Sequence, residues 1–167
     1  MPTGENLMEG MDSLFEKLDN IADIEQDIIR ILDKCGKFVA DDARYRVPVD
    51  NGDLKKSIQH SVYKTDDGAE TSIHTNSDHA AFVEFGTGPV GALNHNGTSP
   101  NVTPVYKQEK WLARIPGLVS EHDSGLRYIA GQKAQPYLYP ALKDNEEQLE
   151  KYMVSEIRKV IGRNKGG

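Results

Sequence analysis

An α+β fold, with a small, mainly antiparallel β-sheet packed against a long N-terminal helix and a C-terminal helix, is predicted by three observations on this 167-residue chain. Apolar residues recur at helical spacing up to Pro48. Period-two alternation flanks Asp66-Asp67-Gly68, and a second helical stripe follows Pro136 and Pro140. The elements follow in order. Leu7, Met11, Leu14, Phe15 and Leu18 form a short amphipathic stripe. Asp23 with Gln26 three residues on has the form of a fresh helix start, in which side chains satisfy unpaired amides. A second helix is therefore expected from Ile24, with Ile28, Ile31, Leu32, Cys35, Phe38, Val39 and Ala43 on its core face. Pro48 removes a donor and pushes Val47 out of helical geometry, so this helix should end there. Gly36 in its middle costs roughly 1 kcal/mol relative to alanine. It marks either close packing against the sheet or simple tolerance.

Asp50-Asn51-Gly52 is a turn, since Asp and Asn bond the local backbone and Gly accepts positive φ. It aims Leu54 and Ile58 back at the core. From Ser57 to Lys64, Ile58, His60, Val62 and Lys64 alternate with Ser57, Gln59, Ser61 and Tyr63, as in a strand. Asp66-Asp67-Gly68 turns the chain, and Ala69–Thr75 returns as the partner strand. Ala80–Phe85 suits a strand through Val83 and Phe85 and a turn and a half of helix through Phe82 and Phe85, and both stay open. Residues 88–127 are rich in Gly, Pro, Asn, Ser and Thr and are expected to be a flexible loop, with a strand from Leu126 to Ala130. Removing residues 92–122 should on this view leave the domain folded. A last helix is expected over Ala141–Ile161, with Leu142, Leu149, Met153, Ile157 and Val160 as its stripe. The organisation expected is a single domain over 1–167, with a helical extension at 1–20, a core at 21–161 and a disordered tail at 162–167.

Composition narrows the function classes. A formal charge of -6 argues against a protein whose main affinity is for phosphate backbones, although one basic face remains compatible with it. No apolar run approaches the roughly 20 residues needed to cross a bilayer, and Met1-Pro2-Thr3-Gly4-Glu5 lacks the order of a secretion signal, so a cytoplasmic site of synthesis and no membrane contact are expected. The single Cys35 can form no internal disulfide and is expected to pack as a small apolar residue.

Chemistry-bearing patterns are sparse. His60, His74, His79, His95 and His122 show no metal-ligand spacing, although His60 and His74 could face each other across the hairpin. Ser57 and Ser61 lie near His60 without the third group and oxyanion site that a nucleophile needs. Gly86-Thr87-Gly88-Pro89 lacks the Lys and the helix opening of a phosphate cradle. Asp41, Asp42, Asp50 and Asp53 read as a solvated turn, and Arg44, Arg46, Lys55 and Lys56 as a surface or inter-subunit ion-pair cluster. No catalytic residue, cofactor or metal is expected. Glu84 has no partner in the sequence and is expected to bond a neighbouring backbone or an adjacent subunit. Phe82 and Phe85 are expected in the core.

Three motifs stand in order: Pro48-Val49-Asp50-Asn51-Gly52-Asp53-Leu54-Lys55-Lys56-Ser57-Ile58, then Glu84-Phe85-Gly86-Thr87, then Gln135-Pro136-Tyr137-Leu138-Tyr139-Pro140-Ala141-Leu142. In this order they resemble the HK97 gp10-like family of phage neck and tail-completion proteins, over roughly residues 25 to 160. The resemblance implies a structural, non-enzymatic morphogenesis protein, and six-fold ring assembly because tail tubes are hexameric. It implies neighbouring connector and tail-terminator or tail-tube proteins as partners, with genome DNA passing through the channel without sequence-specific binding. The place would be the host cytoplasm during assembly and then the virion neck or tail. The structural and interface candidates are Pro48, Asp50, Gly52, Leu54, Ser57, Phe82, Glu84, Phe85, Gly86, Thr87, Pro136, Tyr137 and Pro140. Two other classes stand as alternatives: a cytoplasmic protein-binding or regulatory module, and a small hydrolase or nuclease using His60, His74 and nearby carboxylates.

Overall fold

The computed structural model describes residues 4–48, 52–120 and 123–164, and side chains within these except at 4–22, 116–120, 123 and 164. Helix α1 spans Gly4–Arg46, α2 Asp53–Ser57, α3 Ala80–Phe85, α4 Gly88–Leu93, α5 Leu138–Lys143 and α6 Glu146–Asn164. Strands β1 (Gln59–Thr65) and β2 (Gly68–His74) make one two-stranded antiparallel sheet, and β3 (Trp111–Ser120) and β4 (Asp123–Ile129) make another. The fold is α+β, as the periodicities predict. The strands form two separate hairpins, because each strand closes locally on its sequence neighbour.

The expected break at Asp23 does not occur: α1 runs through it as one helix. No Gly or Pro stands between Gly10 and Gly36, and extending a helix is easier than nucleating a new one. An Asp in the interior is tolerated at a few tenths of a kcal/mol. The stripe Leu7 to Leu18 lies among side chains outside the description.

Contacts gather the chain into two compact units. The first holds α1 up to Val39, His60–Ile73 of the first hairpin, and the chain from Asn145. Its core is Ile31, Cys35 and Val160, with Ile24, Leu149, Tyr152 and Met153 packed around them. Cys35 is a buried free thiol whose pKa burial raises, which keeps it protonated and unreactive, the packing role expected of it. Gly36 packs closely: a Cβ there would lie 2.4 Å from Thr71 Oγ1 and 3.0 Å from His60 Cδ2. His60 Nε2 also sits 2.9 Å from Asp33 Oδ1, and Lys64 pairs with Glu25, so hairpin and helix are joined by polar contacts too. Gly36→Ala should therefore lower stability by about 1–2 kcal/mol in urea unfolding, despite its better helix propensity. Adding Thr71→Ala should recover most of the loss, and a stabilised single variant would contradict the packing account.

The second unit holds Ala40–Gln59 and His74–Asp144. Val47 N–H donates to Ala43 O at 3.0 Å and closes α1, after which Pro48 is exposed. Gly52 has φ 83, as the expected turn requires, and leads into α2, a short helix not expected between that turn and the strand; Lys56 N–H returns to Gly52 O at 3.1 Å. Ile58 is buried, as its spacing from Leu54 suggests, and Arg44 donates to its carbonyl. Arg44 also pairs with Asp41, and Arg46 with Asp42 and Asp144, so these two arginines have partners within their own chain.

Residues 88–127 carry more order than a flexible loop. Pro89 stands in the first turn of α4, where its missing N–H is harmless. Trp111 begins β3, and Tyr106 Oη donates to Phe85 O at 2.8 Å. A deletion of 92–122 would remove β3 and the Tyr106 bond, so it cannot be expected to leave this unit intact. The strand expected at Leu126–Ala130 is β4, paired Trp111↔Ile129 through Arg114↔Leu126 and again Val119↔Ser124. The register slips between, where Pro116 offers no ladder donor.

The single helix expected at Ala141–Ile161 is two. Asp144 N–H bonds Pro140 O at 2.9 Å to end α5, and Leu149 N–H bonds Asn145 O at 2.9 Å in the opening turn of α6. Asp and Asn favour helix ends over interiors, which a continuous apolar stripe conceals. Leu142 and Ile157 of the expected stripe are exposed, while Val160 is buried. Helix α6 continues to Asn164, past the expected tail boundary, and residues 165–167 lie outside the description.

Candidate functional site

Glu84 is the buried charged residue of the second motif, 4% exposed on α3. Its Oε2 accepts the backbone N–H groups of Tyr137 at 2.8 Å and Leu138 at 2.9 Å, and Oε1 accepts that of Tyr139 at 3.0 Å. These are the donors at the start of α5. Pro136 and Pro140, on either side, have no N–H to satisfy. The second and third motifs are therefore one object: a carboxylate matched to three consecutive amides bracketed by two prolines. Glu84 bonds a neighbouring backbone, the first of its two expected roles.

The other end of α3 is satisfied in the same way. Phe82 O accepts Gly86 N–H at 3.0 Å and Gln132 Nε2 at 2.9 Å, Val83 O accepts Gln135 N–H at 2.8 Å, and Phe85 O accepts Tyr106 Oη. Thr87 and Gln132 exchange backbone bonds at 2.9 and 3.2 Å, and Gln132 N–H also reaches Thr87 Oγ1 at 3.1 Å. Two chain segments about fifty residues apart are thus laced together. Gly86 allows this approach: at φ 75, a Cβ there would lie 2.7 Å from both Ala134 N and Gln132 O.

Tyr137 is 1% exposed. Burial, and then the Glu84 charge, push its phenol up to about 12. A phenol pKa raised on folding stabilises the fold fully below the unfolded value near 10, and that stability is lost as pH rises toward the folded value. We expect the ultraviolet ionisation difference between wild type and Tyr137→Phe to be one tyrosine titrating at about 12. Stability should fall over the same alkaline window. A difference centred near 10 would contradict the buried placement.

Beside this knot lies a cleft of about 680 Å³, lined by Phe82, Phe85, Gly86, Tyr106 and Trp111 among others, with Lys107 Nζ 5.4 Å from the Trp111 ring centre. Phe82, expected in the core, is 52% exposed at its edge, because only one face of a six-residue helix can point inward. Phe85 is half-buried.

The candidate residues separate into two groups. Phe82, Glu84, Phe85, Gly86, Thr87, Pro136, Tyr137 and Pro140 meet in the knot. Pro48, Gly52, Leu54 and Ser57 form a local connector instead: Ser57 Oγ donates to Leu54 O at 2.9 Å and lies 2.6 Å from Thr75 Oγ1. Asp50, with Val49 and Asn51, lies outside the described residues. Sequence reasoning missed Gln132, Gly131 and Tyr106, whose polar and glycine character in a polar stretch carries no periodic signal.

A carboxylate occupied by three amide donors serves as a fastener. Among the described residues no group of three His, Cys, Asp or Glu could hold a metal ion, and His60 faces Asp33. Among the described residues no helix is long and apolar enough to cross a membrane. Residues 11–86 match the HK97-gp10-like family model, described as "Bacteriophage HK97-gp10, putative tail-component". That stretch contains the first motif and Glu84, Phe85 and Gly86 of the second, and over it the chain is similar to this family of phage tail components. The third motif lies beyond the match. No curated protein and no solved structure was found to match the chain.

Proposed function

We propose that this chain is a non-enzymatic subunit of the phage neck or a tail-completion protein, assembling into a ring at the junction of connector and tail. The observation that carries the reading is the family match, whose second motif supplies the carboxylate of the knot. Its Glu is used to hold backbone, and large apolar side chains such as Phe82 and Val105 stay at the surface beside it. Repetition of one heterologous contact about an axis makes such a ring, and six copies is the number that the family resemblance implies. The partners are then further copies and the adjoining connector and tail-terminator or tail-tube proteins. Genome DNA passes through the channel without sequence-specific contact, and the net charge of -6 accords with that. Assembly takes place in the host cytoplasm, and the subunit ends in the virion.

Electron microscopy of lysates from a phage with an early stop codon in this gene tests the reading. Filled heads separated from free tails are expected. Intact, infectious particles would remove the neck assignment.

A further inference from the structure

The β3–β4 ribbon presents an uncovered apolar face. Leu112 stands opposite Tyr128 and Arg114 opposite Leu126, so these four side chains share one side of the ribbon. The apolar three are 52%, 75% and 40% exposed in the order Leu112, Tyr128, Leu126. Among the described residues the two strands pair only with each other, and a ribbon of two strands is marginal in water without something packed on it. Arg114 is exposed and has no ion pair or hydrogen bond from its side chain among the described residues.

A second exposed apolar surface, beside a charge of the opposite sign, lies on α6. Its inward stripe is Leu149, Tyr152, Met153 and Val160. A second stripe, Val154, Ile157 and Ile161, is exposed along the same helix at spacings of three and four. Glu150 extends it one turn toward the N-terminus, exposed and likewise without an ion pair among the described residues. Glu147, beside it, is held by Lys151, and Arg158 stands at the far rim.

We infer that the ribbon face of one copy docks on the outer α6 stripe of a second copy, with Leu112, Leu126 and Tyr128 against Val154, Ile157 and Ile161 and Arg114 near Glu150. Both faces are exposed, both are apolar, and the charges beside them, unpaired among the described residues, are opposite in sign. The two surfaces differ, so the contact is heterologous and can repeat from copy to copy. A ribbon face of this length covers on the order of 200–300 Å², well short of the roughly 800 Å² per partner of a stable two-body interface. Singly the contact is weak; closure, in which each copy is held at two of them, strengthens it. The inference deepens the proposed ring by naming its interface and rests on that reading.

The test traps weak contacts covalently. In a Cys35→Ala background, one chain carries Tyr128→Cys and a separately tagged chain carries Val154→Cys. The full-length proteins are mixed with a flexible bis-maleimide. We expect a crosslinked dimer containing both tags, little product from either chain alone, and a yield lowered about threefold by Arg114→Glu. Glu150→Arg on the partner should restore that yield. Crosslinking of the ribbon chain to itself, or an oligomer on sedimentation with no mixed product, would overturn this interface while leaving the ring reading intact. A chain that stays monomeric and gives no product overturns the copy-to-copy contact too, and particle morphology then judges the neck assignment separately.

Discussion

Glu84→Ala is expected to lower the unfolding free energy by about 4 kcal/mol, because three backbone donors lose a charged acceptor together. The Tyr137 N–H is buried, and water cannot fully replace the carboxylate at 4% exposure without opening the structure around it. The loss should be cooperative, since Tyr137, Leu138 and Tyr139 share one acceptor side chain. Glu84→Gln keeps one carbonyl oxygen but turns an NH2 toward backbone donors, so roughly half the loss is expected. Urea unfolding measures both, and amide exchange at 137–139 locates the damage: these amides should be protected in wild type and fast in Glu84→Ala. An alanine variant within about 1 kcal/mol of wild type would mean that the fold has another way to satisfy these groups.

Gly131→Ala is the second large effect, expected at about 3–5 kcal/mol. Gly131 sits at φ 92, and a Cβ there would meet Thr87 O at 1.9 Å, Thr87 C at 2.5 Å and Gly88 N at 2.9 Å. All three are backbone atoms, so no side chain can rotate aside. The Thr87–Gln132 bridge must open, and with it the lacing that positions Glu84 opposite Tyr137. Gly52→Ala is the control. Gly52 has φ 83 with nothing within 4 Å of its Cβ position, so only backbone strain of about 1 kcal/mol applies. Equal losses at the two glycines would show that the close approach at Gly131 contributes nothing.

Much of the fold is legible in particular residues. Pro48 stops α1 where it stands, and Asp66-Asp67-Gly68 places the first hairpin within a residue or two. Ile31, Cys35, Val39 and Ala43 are buried as the helical stripe predicts. The errors have physical causes. Asp23 imitates a helix start inside a helix, and Asp144-Asn145 interrupts a stripe that looks unbroken. β3 begins in a polar stretch whose Pro116 conceals it. In each case a local preference is outweighed by something stronger: helix continuity, end chemistry, or pairing with the neighbouring strand of a hairpin.

The candidate site was legible as residues and illegible as an arrangement. Glu84, Tyr137 and the two prolines stand out in the chain, yet the reason for them lies in a bond spanning 53 positions. Sequence alone determined what is local: the helix stop at Pro48, the hairpin, the α+β class and the motif order that points to phage tail components, because dihedral limits and periodic burial act over a few residues. Tertiary structure alone decided that a carboxylate and three amides belong together, that Phe82 faces outward, and that an apolar ribbon face stays open. Hydrogen-bond satisfaction and burial depend on which distant segments meet, and neighbouring residues do not encode that meeting one by one.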